Sequence, residues 1–425
     1  MSDTTRRTFL ANTAAATAAA ALPTAVHAAG NDVIKVGVIG CGGRGSGAAS
    51  DILKADKSLG GKTVEIIACA DFFPDRAKRL AKNLSDAGFK DKVKVGDRAF
   101  GGLDGYKKVL EAGPDLVILA TTPGFRPAHL EAAINAGKHV FCEKPVAVDG
   151  PGIRKCLELV DESKKKGLAV VAGTQRRHQQ GYIDTVKKLQ DGAIGKPVAA
   201  RCSWNDKGIW FHPRKTGASD LAYQIDNWYH FLWLCGDHIV EQHVHNLDVI
   251  NWVLGAHPVK ASGFGGRGYA ARKPGDPNEV GNIYDHFTVE YEYPGGVLLT
   301  STCTHIPGIK SDVSETVLGT KGTCRVNAYT INRERVAKDT DVSPYVQEHI
   351  DLLQSIKAGK PLNELKQVTE STMTAILGRM AAYSGQEVKW EQALNSKEST
   401  MPENLSADST IAIGPVPIPG KYKVA

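Results

Sequence analysis

The chain has 425 residues, with 52 Lys and Arg against 46 Asp and Glu and a formal net charge of +6 at pH 7. That length can bury two cores, and a small excess of positive charge spread along the chain speaks against a nucleic-acid partner. No stretch after the N-terminal segment approaches the apolar length of a membrane span, and the eight cysteines (41, 69, 142, 156, 202, 235, 303 and 324) show no C-x-x-C spacing. Several fall inside predicted strands, where Cys behaves as a small buried apolar residue, so no disulfide framework is expected.

The first 29 residues read as an export signal. Thr5-Arg6-Arg7-Thr8-Phe9-Leu10 is a twin-arginine pattern, an Ala-rich stretch runs from Ala14 to Leu22, and Val26-His27-Ala28 offers small residues for cleavage. The expected location is the periplasm. The twin-arginine route carries folded proteins, which suits a protein that takes up a bound group before export and retains it.

Residues 30–172 read as a dinucleotide-binding domain. Val33 to Ile39 is an apolar run broken by one charge, as in a buried parallel strand, and it turns directly into Gly40-Cys41-Gly42-Gly43-Arg44-Gly45. In G-x-G-x-x-G the first glycine permits a tight turn, the second lets the backbone approach a pyrophosphate, and the third lets the next helix lie close to the sheet. That helix is expected over Ser46–Ala55, with its N-terminal amides under the diphosphate. A second strand, Val64 to Asp71, ends in a carboxylate that can accept hydrogen bonds from both ribose hydroxyls and would repel a 2′-phosphate. NAD is therefore favoured over NADP, although Arg76 and Arg79 lie close by; the other reading of Asp71 is a helix N-cap. Further β-α units follow: a helix from Pro74 to Leu84, a strand Asp115–Ala120 ending in Thr121-Thr122-Pro123, a helix from Ala128, and a strand His139–Cys142 ending in Glu143-Lys144-Pro145. A helix from Pro151 to Lys166 and a strand Leu168–Ala172 complete the series. Alternating β and α elements predict a doubly wound parallel sheet, whose ligands bind at the carboxyl ends of the strands.

On the glycine loop, Ala70-Asp71, Ala136-Gly137-Lys138-His139-Val140 and above all Glu143-Lys144-Pro145, the chain resembles the Gfo/Idh/MocA family, which includes glucose–fructose oxidoreductase and inositol dehydrogenase. The resemblance spans nearly the whole mature chain. It implies that Lys144 contacts both the nicotinamide ribose and a substrate hydroxyl. One departure is Arg126, where many relatives carry His. The expected cofactor contacts are Gly40, Gly42, Gly43, Arg44, Gly45, Asp71, Arg76, Thr121, Thr122, Pro123, Glu143, Lys144 and Gln175.

Residues 173–345 read as an α+β domain with an open, mostly antiparallel sheet. Strand-like runs are Val198–Trp204, Val259–Gly263, Tyr284–Tyr291, Val297–Cys303 and Glu315–Gly319, with a hairpin signal at Tyr293-Pro294-Gly295-Gly296. The resemblance implies that this sheet covers the nicotinamide end and often builds oligomers, so a homo-dimer or tetramer is expected. Between Gly236 and Trp252 the apolar spacing is helical, which sets Glu241, His245, Asp248 and Trp252 on one stripe. Relatives carry Asp-x-Gly-x-His-x-x-Asp here; this chain has Glu241-x-His243-x-His245-x-x-Asp248. The resemblance then maps a catalytic Lys, acid and His onto Lys144, Glu241 and His245. His245 would accept the hydroxyl proton, Lys144 would hydrogen-bond the developing oxyanion, and Glu241 would orient the pair. His238, Glu241 and His245 could also be read as metal ligands, but the common zinc-site spacings are missing, and no metal is expected. Arg177, Asn205, Trp210 and His245 are the expected substrate contacts. Trp228, Tyr229, His230 and Trp233 read as core or interface. Residues 346–425 supply two helices that in relatives return to the first domain, then a Pro- and Gly-rich arm that either wraps a neighbouring subunit or is disordered.

The expected protein is thus an exported NAD(P)-dependent oxidoreductase acting on a secondary hydroxyl of a sugar, glycoside or polyol. One alternative is a glycoside-cleaving enzyme that oxidises transiently, eliminates and re-reduces. Another is a non-catalytic sugar-binding protein on a dehydrogenase fold.

Overall fold

The computed structural model describes residues 33–268 and 281–424. The twin-arginine pattern and its cleavage site lie outside the described residues.

Six strands form the first sheet: β1 (Ile34–Ile39), β2 (Val64–Asp71), β3 (Ala99–Gly101), β4 (Leu116–Leu119), β5 (His139–Cys142) and β6 (Val170–Ala172). All pair in parallel, in the order β3-β2-β1-β4-β5-β6. Every residue of β4 and β5 is buried, as expected of strands covered on both faces by crossover helices. Those helices are α1 (Gly43–Ser58), α2 (Pro74–Leu84), α3 (Gly105–Glu111), α4 (Arg126–Asn135) and α5 (Gly150–Lys165). Strand order reverses between β1 and β4, and this switch point opens the crevice where such sheets bind ligands.

The second unit contains α6 (Gln180–Gln190), β7 (Pro197–Asp206), α7 (Asp220–Asp226), α8 (His238–Glu241), α9 (Val244–Leu254) and β8 (Lys260–Gly266). Then come β9 (His286–Tyr293), β10 (Val297–His305), β11 (Asp312–Gly319), β12 (Gly322–Arg325), β13 (Thr330–Ile331) and β14 (Glu334–Arg335). The strand β15 (Val388–Lys389) closes a nine-stranded sheet in the order β14-β13-β12-β11-β7-β10-β9-β8-β15. Only β7 and β10 pair in parallel; the other neighbours are antiparallel. The β9–β10 turn places both Gly295 and Gly296 at positive φ, which explains its two glycines. Burial alternates along β9 and β10, so one sheet face packs and the other is open.

Two long helices join the units. The helix α10 (Pro344–Lys357) buries Ile350, Leu352, Leu353 and Ile356 in the core formed by Val36, Val38, Ile52 and Leu53. The helix α11 (Leu365–Ser384) is buried almost all round and lies between the second sheet and α5. Such a helix has no polar stripe, and its central run 371–377 holds only Ala, Ser, Thr and apolar residues; the one buried charge, Arg379, gives its Nη1 to the carbonyls of Val148 and Gly236.

The C-terminal arm departs from expectation. It folds back on its own chain: Gln224 Nε2 donates to the Ile411 carbonyl at 2.8 Å and Tyr284 Oη to that of Pro417 at 2.9 Å. Met401, Leu405 and Ile411 pack with Trp233, Phe125 and Phe72. A Pro-rich segment has few backbone donors to lose, so side chains of the body tie it down instead. All eight cysteines are buried thiols.

Candidate active site

The turn from β1 into α1 is dictated by its glycines. Gly40 sits at φ +95°, and a Cβ there would lie 2.4 Å from the Ala120 carbonyl carbon. At Gly45 a Cβ would come within 1.7 Å of the Gly40 oxygen, so only glycine lets α1 seat on the strand. Gly42 is different: nothing lies within 4 Å of its missing Cβ, and it faces open space. It is also the N-cap of α1, with no side chain capping the helix. The first amides of α1 thus lack an internal partner beside an open cradle, which fits a diphosphate.

Asp71 ends β2 within this crevice. Its carboxylate accepts hydrogen bonds from the Cys41 amide at 2.8 Å and the Phe73 amide at 3.0 Å. The N-cap of α2 is Phe73, so Asp71 is not a helix cap. Asp71, Phe72, Leu103, Tyr106 and Phe125 line a narrow slot of about 100 Å³, flat and aromatic enough for an adenine. Arg76 also borders it, but its guanidinium is held by Asp226 of α7 at 2.5 Å.

Thr121, Thr122 and Arg76 connect this slot to a larger cavity of about 590 Å³ between the two units. Gly42, Gly43, Arg44, Glu143, Lys144, Gln175, Trp210, Glu241 and His245 all border it. Two buried polar atoms, Thr122 Oγ1 and Gln175 Oε1, have no protein partner. Orphaned buried polar atoms around a cleft are what a polar ligand satisfies. The residues present therefore fit a dinucleotide, with adenosine at Asp71, diphosphate at Gly42 and Gly43, and nicotinamide near Lys144.

At the nicotinamide end the side chains converge. Lys144 follows β5, and its Nζ donates to the Glu241 main-chain oxygen at 2.7 Å and to Glu241 Oε1 at 2.9 Å. Lys144 is 8% exposed and Glu241 6%, so this ion pair is desolvated. Glu143 turns the other way and binds Arg44 Nε at 2.5 Å. His245 lies against the indole of Trp204, with ring centroids 5.9 Å apart. Burial pushes its pKa well below the ordinary histidine value, and the charges of Lys144, Arg176 and Arg44 push the same way. A neutral imidazole is an acceptor of protons, the form a general base requires.

The segment around Glu241 is not one helix. The chain breaks at Gln242-His243, between α8 and α9. Glu241 and His245 still face the cavity, but Asp248 does not: it takes Arg177 at 2.9 Å and Ser371 Oγ at 2.8 Å on the far side. His243, which stands where relatives have Gly, points into the sheet; its Nε2 lies 2.7 Å from Ser301 Oγ. The longer Glu241 and the bulkier His243 therefore leave the Lys144–Glu241–His245 arrangement intact.

Four expected contacts are corrected. Arg177 is bound by Asp248 and stacks over Trp252 outside the cavity. It sits in a 3₁₀ turn, Gln175–His178, where three residues per turn point Gln175 and Arg177 in different directions. Asn205 follows Trp204 on β7; since Trp204 faces His245, alternation aims Asn205 away, with Thr302 Oγ1 3.5 Å from its amide. Gly45 and Pro123 are buried behind the crevice and do not border it. Conversely, Trp228 and Tyr229, read as core or interface, border the cavity, and Tyr229 Oη meets His305 Nε2 at 3.1 Å. Their signal was obscured because apolar aromatic spacing looks the same in a core and in a cleft wall. Arg126 also borders the cavity. His238 lies edge-on to Phe287 and His305 and does not. Among the described residues no cluster of His, Cys, Asp or Glu is grouped to hold a metal.

A doubly wound nucleotide-binding unit joined to an open-sheet unit, with a Lys–Glu–His cluster in the cleft between them, defines a two-domain class of dinucleotide-dependent oxidoreductases. Residues 34–174 match the family model described as "Oxidoreductase family, NAD-binding Rossmann fold", and residues 183–325 match the "GFO/IDH/MocA C-terminal domain". The chain belongs to the Gfo/Idh/MocA family, and its first unit is an NAD-binding Rossmann domain. Among curated relatives, inositol 2-dehydrogenase of Klebsiella pneumoniae is 29% identical over 222 residues, covering 52% of this chain and 54% of that protein. The match thus spans about half the length of that relative. Of solved structures, an oxidoreductase from Thermotoga maritima aligns over 85% of this chain and 100% of its own, with a TM-score of 0.64 and 23% identity. Myo-inositol dehydrogenase from Lactobacillus casei, solved in complex with NAD(H) and myo-inositol, aligns over 84% of this chain and 96% of its own, with a TM-score of 0.60 and 18% identity. At such identities these structures speak for the fold.

Proposed function

We propose that the protein is an NAD-dependent oxidoreductase that oxidises, or in reverse forms, a secondary hydroxyl of a polyol or sugar. The observation that carries this reading is the convergence of Lys144, Glu241 and His245 in a cavity continuous with the Gly40–Gly45 cradle. Bound nicotinamide supplies a two-electron hydride acceptor or donor. The chain supplies the proton chemistry and the positioning. Lys144, fixed by Glu241, donates a hydrogen bond to the reacting oxygen and stabilises negative charge as it develops there. Neutral His245 takes the hydroxyl proton on a ring nitrogen. Trp210, 43% exposed at the cavity wall, and Trp228 offer flat faces to a sugar ring. NAD is preferred to NADP because Asp71 occupies the ribose end and Asp226 already neutralises Arg76.

Two further features complete the proposal. Export follows from the twin-arginine pattern at Arg6 and Arg7. A homo-oligomer is supported by the open face of the second sheet, where Val198, Phe264, Leu298 and Leu318 are exposed; light scattering on the purified protein tests it.

The test of the reaction is a panel of polyols and sugars incubated with protein and NAD, followed at the reduced-nicotinamide absorbance. Net oxidation accumulates reduced cofactor. A glycoside cleaved with none accumulating would instead indicate transient oxidation, and failure to bind NAD would overturn both.

A further inference from the structure

Charges around the cavity are paired with one exception. Arg44 meets Glu143 at 2.5 Å, Arg76 meets Asp226 at 2.5 Å and Lys144 meets Glu241 at 2.9 Å. Arg126 borders the same cavity and is only 5% exposed. It opens α4, and its Nη1 donates to the carbonyl of Pro145, the residue after Lys144, at 2.5 Å. Its Nε is buried with no acceptor, and among the described residues no carboxylate forms an ion pair with it. A guanidinium keeps its charge at any ordinary pH. Burying one without a counter-charge is costly, and the geometry that relieves it is a carboxylate across the planar fork.

The diphosphate of NAD is negative, but it belongs at Gly42 and Gly43, whereas the end of the cofactor that comes to Lys144 is the cationic ring. Glu143 and Glu241 act on Arg126 across space but are engaged by Arg44 and Lys144, so neither closes on its fork. We propose that the substrate supplies the missing negative charge: the cavity takes a polyhydroxy carboxylate, an aldonate or uronate, with its carboxylate on Arg126 and the reacting hydroxyl at Lys144 and His245. This rests on the oxidoreductase reading above and narrows its substrate class from sugars and polyols to their acids. Arg126 is then a specificity-determining residue and the carboxylate fixes which carbon reaches Lys144.

The test is calorimetric titration of the full, NAD-loaded protein with matched pairs: aldonates against the corresponding alditols, and uronates against the corresponding aldoses. The acids are expected to bind more tightly by a factor on the order of ten to a hundred, as a charge-assisted bidentate pair confers. Arg126→Gln should abolish that preference while leaving the NAD dissociation constant unchanged, and Arg126→Lys, which keeps the charge but loses the fork, should retain part of it. Thermal melting confirms that each variant is folded. The proposal falls if the neutral partners bind as well as the acids to the wild type, if no acid of the panel binds, or if Arg126→Gln weakens NAD as much as the acid, which would assign the guanidinium to the cofactor. A wild type that binds no NAD at all overturns the oxidoreductase reading instead.

Discussion

His245 has its protonation state set by its surroundings. Its ring is buried and faces Lys144, Arg176 and Arg44, all of which disfavour the charged form. A base acts in its deprotonated form, which exists above its pKa. Lowering that pKa moves the acid limb of the rate profile down, so kcat/KM should show no fall near pH 6.5, the ordinary histidine value of about 6.5. Turnover against pH checks this; an acid limb at the ordinary value that disappears in His245→Gln would contradict the lowered pKa. Lys144→Ala removes the donor to the developing oxyanion and should lower kcat by roughly 10²–10³-fold. Retained NAD binding would show that the loss lies in the chemistry.

At this scale the sequence was legible where chemistry needs a rare combination. A Lys between Glu and Pro at the end of a buried strand, and a carboxylate four residues before a histidine, both lead to the cavity. It was illegible where direction decides. Arg177 and Gln175 are two residues apart on a turn, and Trp204 and Asn205 are neighbours on a strand, yet only the turn geometry or the strand phase says which of each pair faces the cleft. Arg177 had a buried partner, Asp248, seventy-one residues away, which no local pattern announces.

Among the elements, the glycine loop separates two roles that look alike in sequence. Gly45→Ala places a Cβ on the Gly40 oxygen, so α1 must lift from the sheet; both melting temperature and NAD binding should fall. Gly42→Ala meets nothing in the protein, so melting should be unchanged while NAD affinity drops about tenfold or more, about 1.4 kcal/mol. Calorimetry on both variants reads the contrast. Beside the loop, the 3₁₀ turn that presents Gln175 is clamped by His178, which lies 2.6 Å from Asp351 of α10 and 3.3 Å from Glu364. Burial lowers its pKa, but bonds to Asp351 and Glu364 outweigh that and hold it up to about 10. A raised pKa means stabilisation that is full below the unfolded value of about 6.5 and is lost as pH climbs through about 10. Wild-type melting temperature should therefore fall from pH 7 to pH 10 more steeply than that of His178→Asn.

Most elements of the first sheet were readable because buried parallel strands are continuous apolar runs, and Val64–Asp71 is found with the expected bounds. The short strand Ala99–Gly101 and the helix Asp220–Asp226 were not, since each is too brief to show a period and is held by tertiary contacts. The break between α8 and α9 was hidden for another reason: Glu241 and His245 keep a helical spacing across it.

Across the whole molecule, the cleft exists because α10 and α11 lock one unit against the other. The Pro-rich tail, read from composition as an arm, is fixed by Gln224 and Tyr284 of its own chain. Composition told that it would be irregular but not where it would lie. The central claim concerns this assembled cleft: that Lys144, Glu241 and His245 serve hydride exchange between bound NAD and a carbinol carbon. The most direct measurement is mass spectrometry of the nucleotide released on denaturing the protein after incubation with NAD and a pool of polyols and sugar acids deuterated on carbon. The account predicts singly deuterated NADH from the wild type and unlabelled NAD from Lys144→Ala. No deuterium in the nucleotide from either protein, with NAD bound by both, would contradict it.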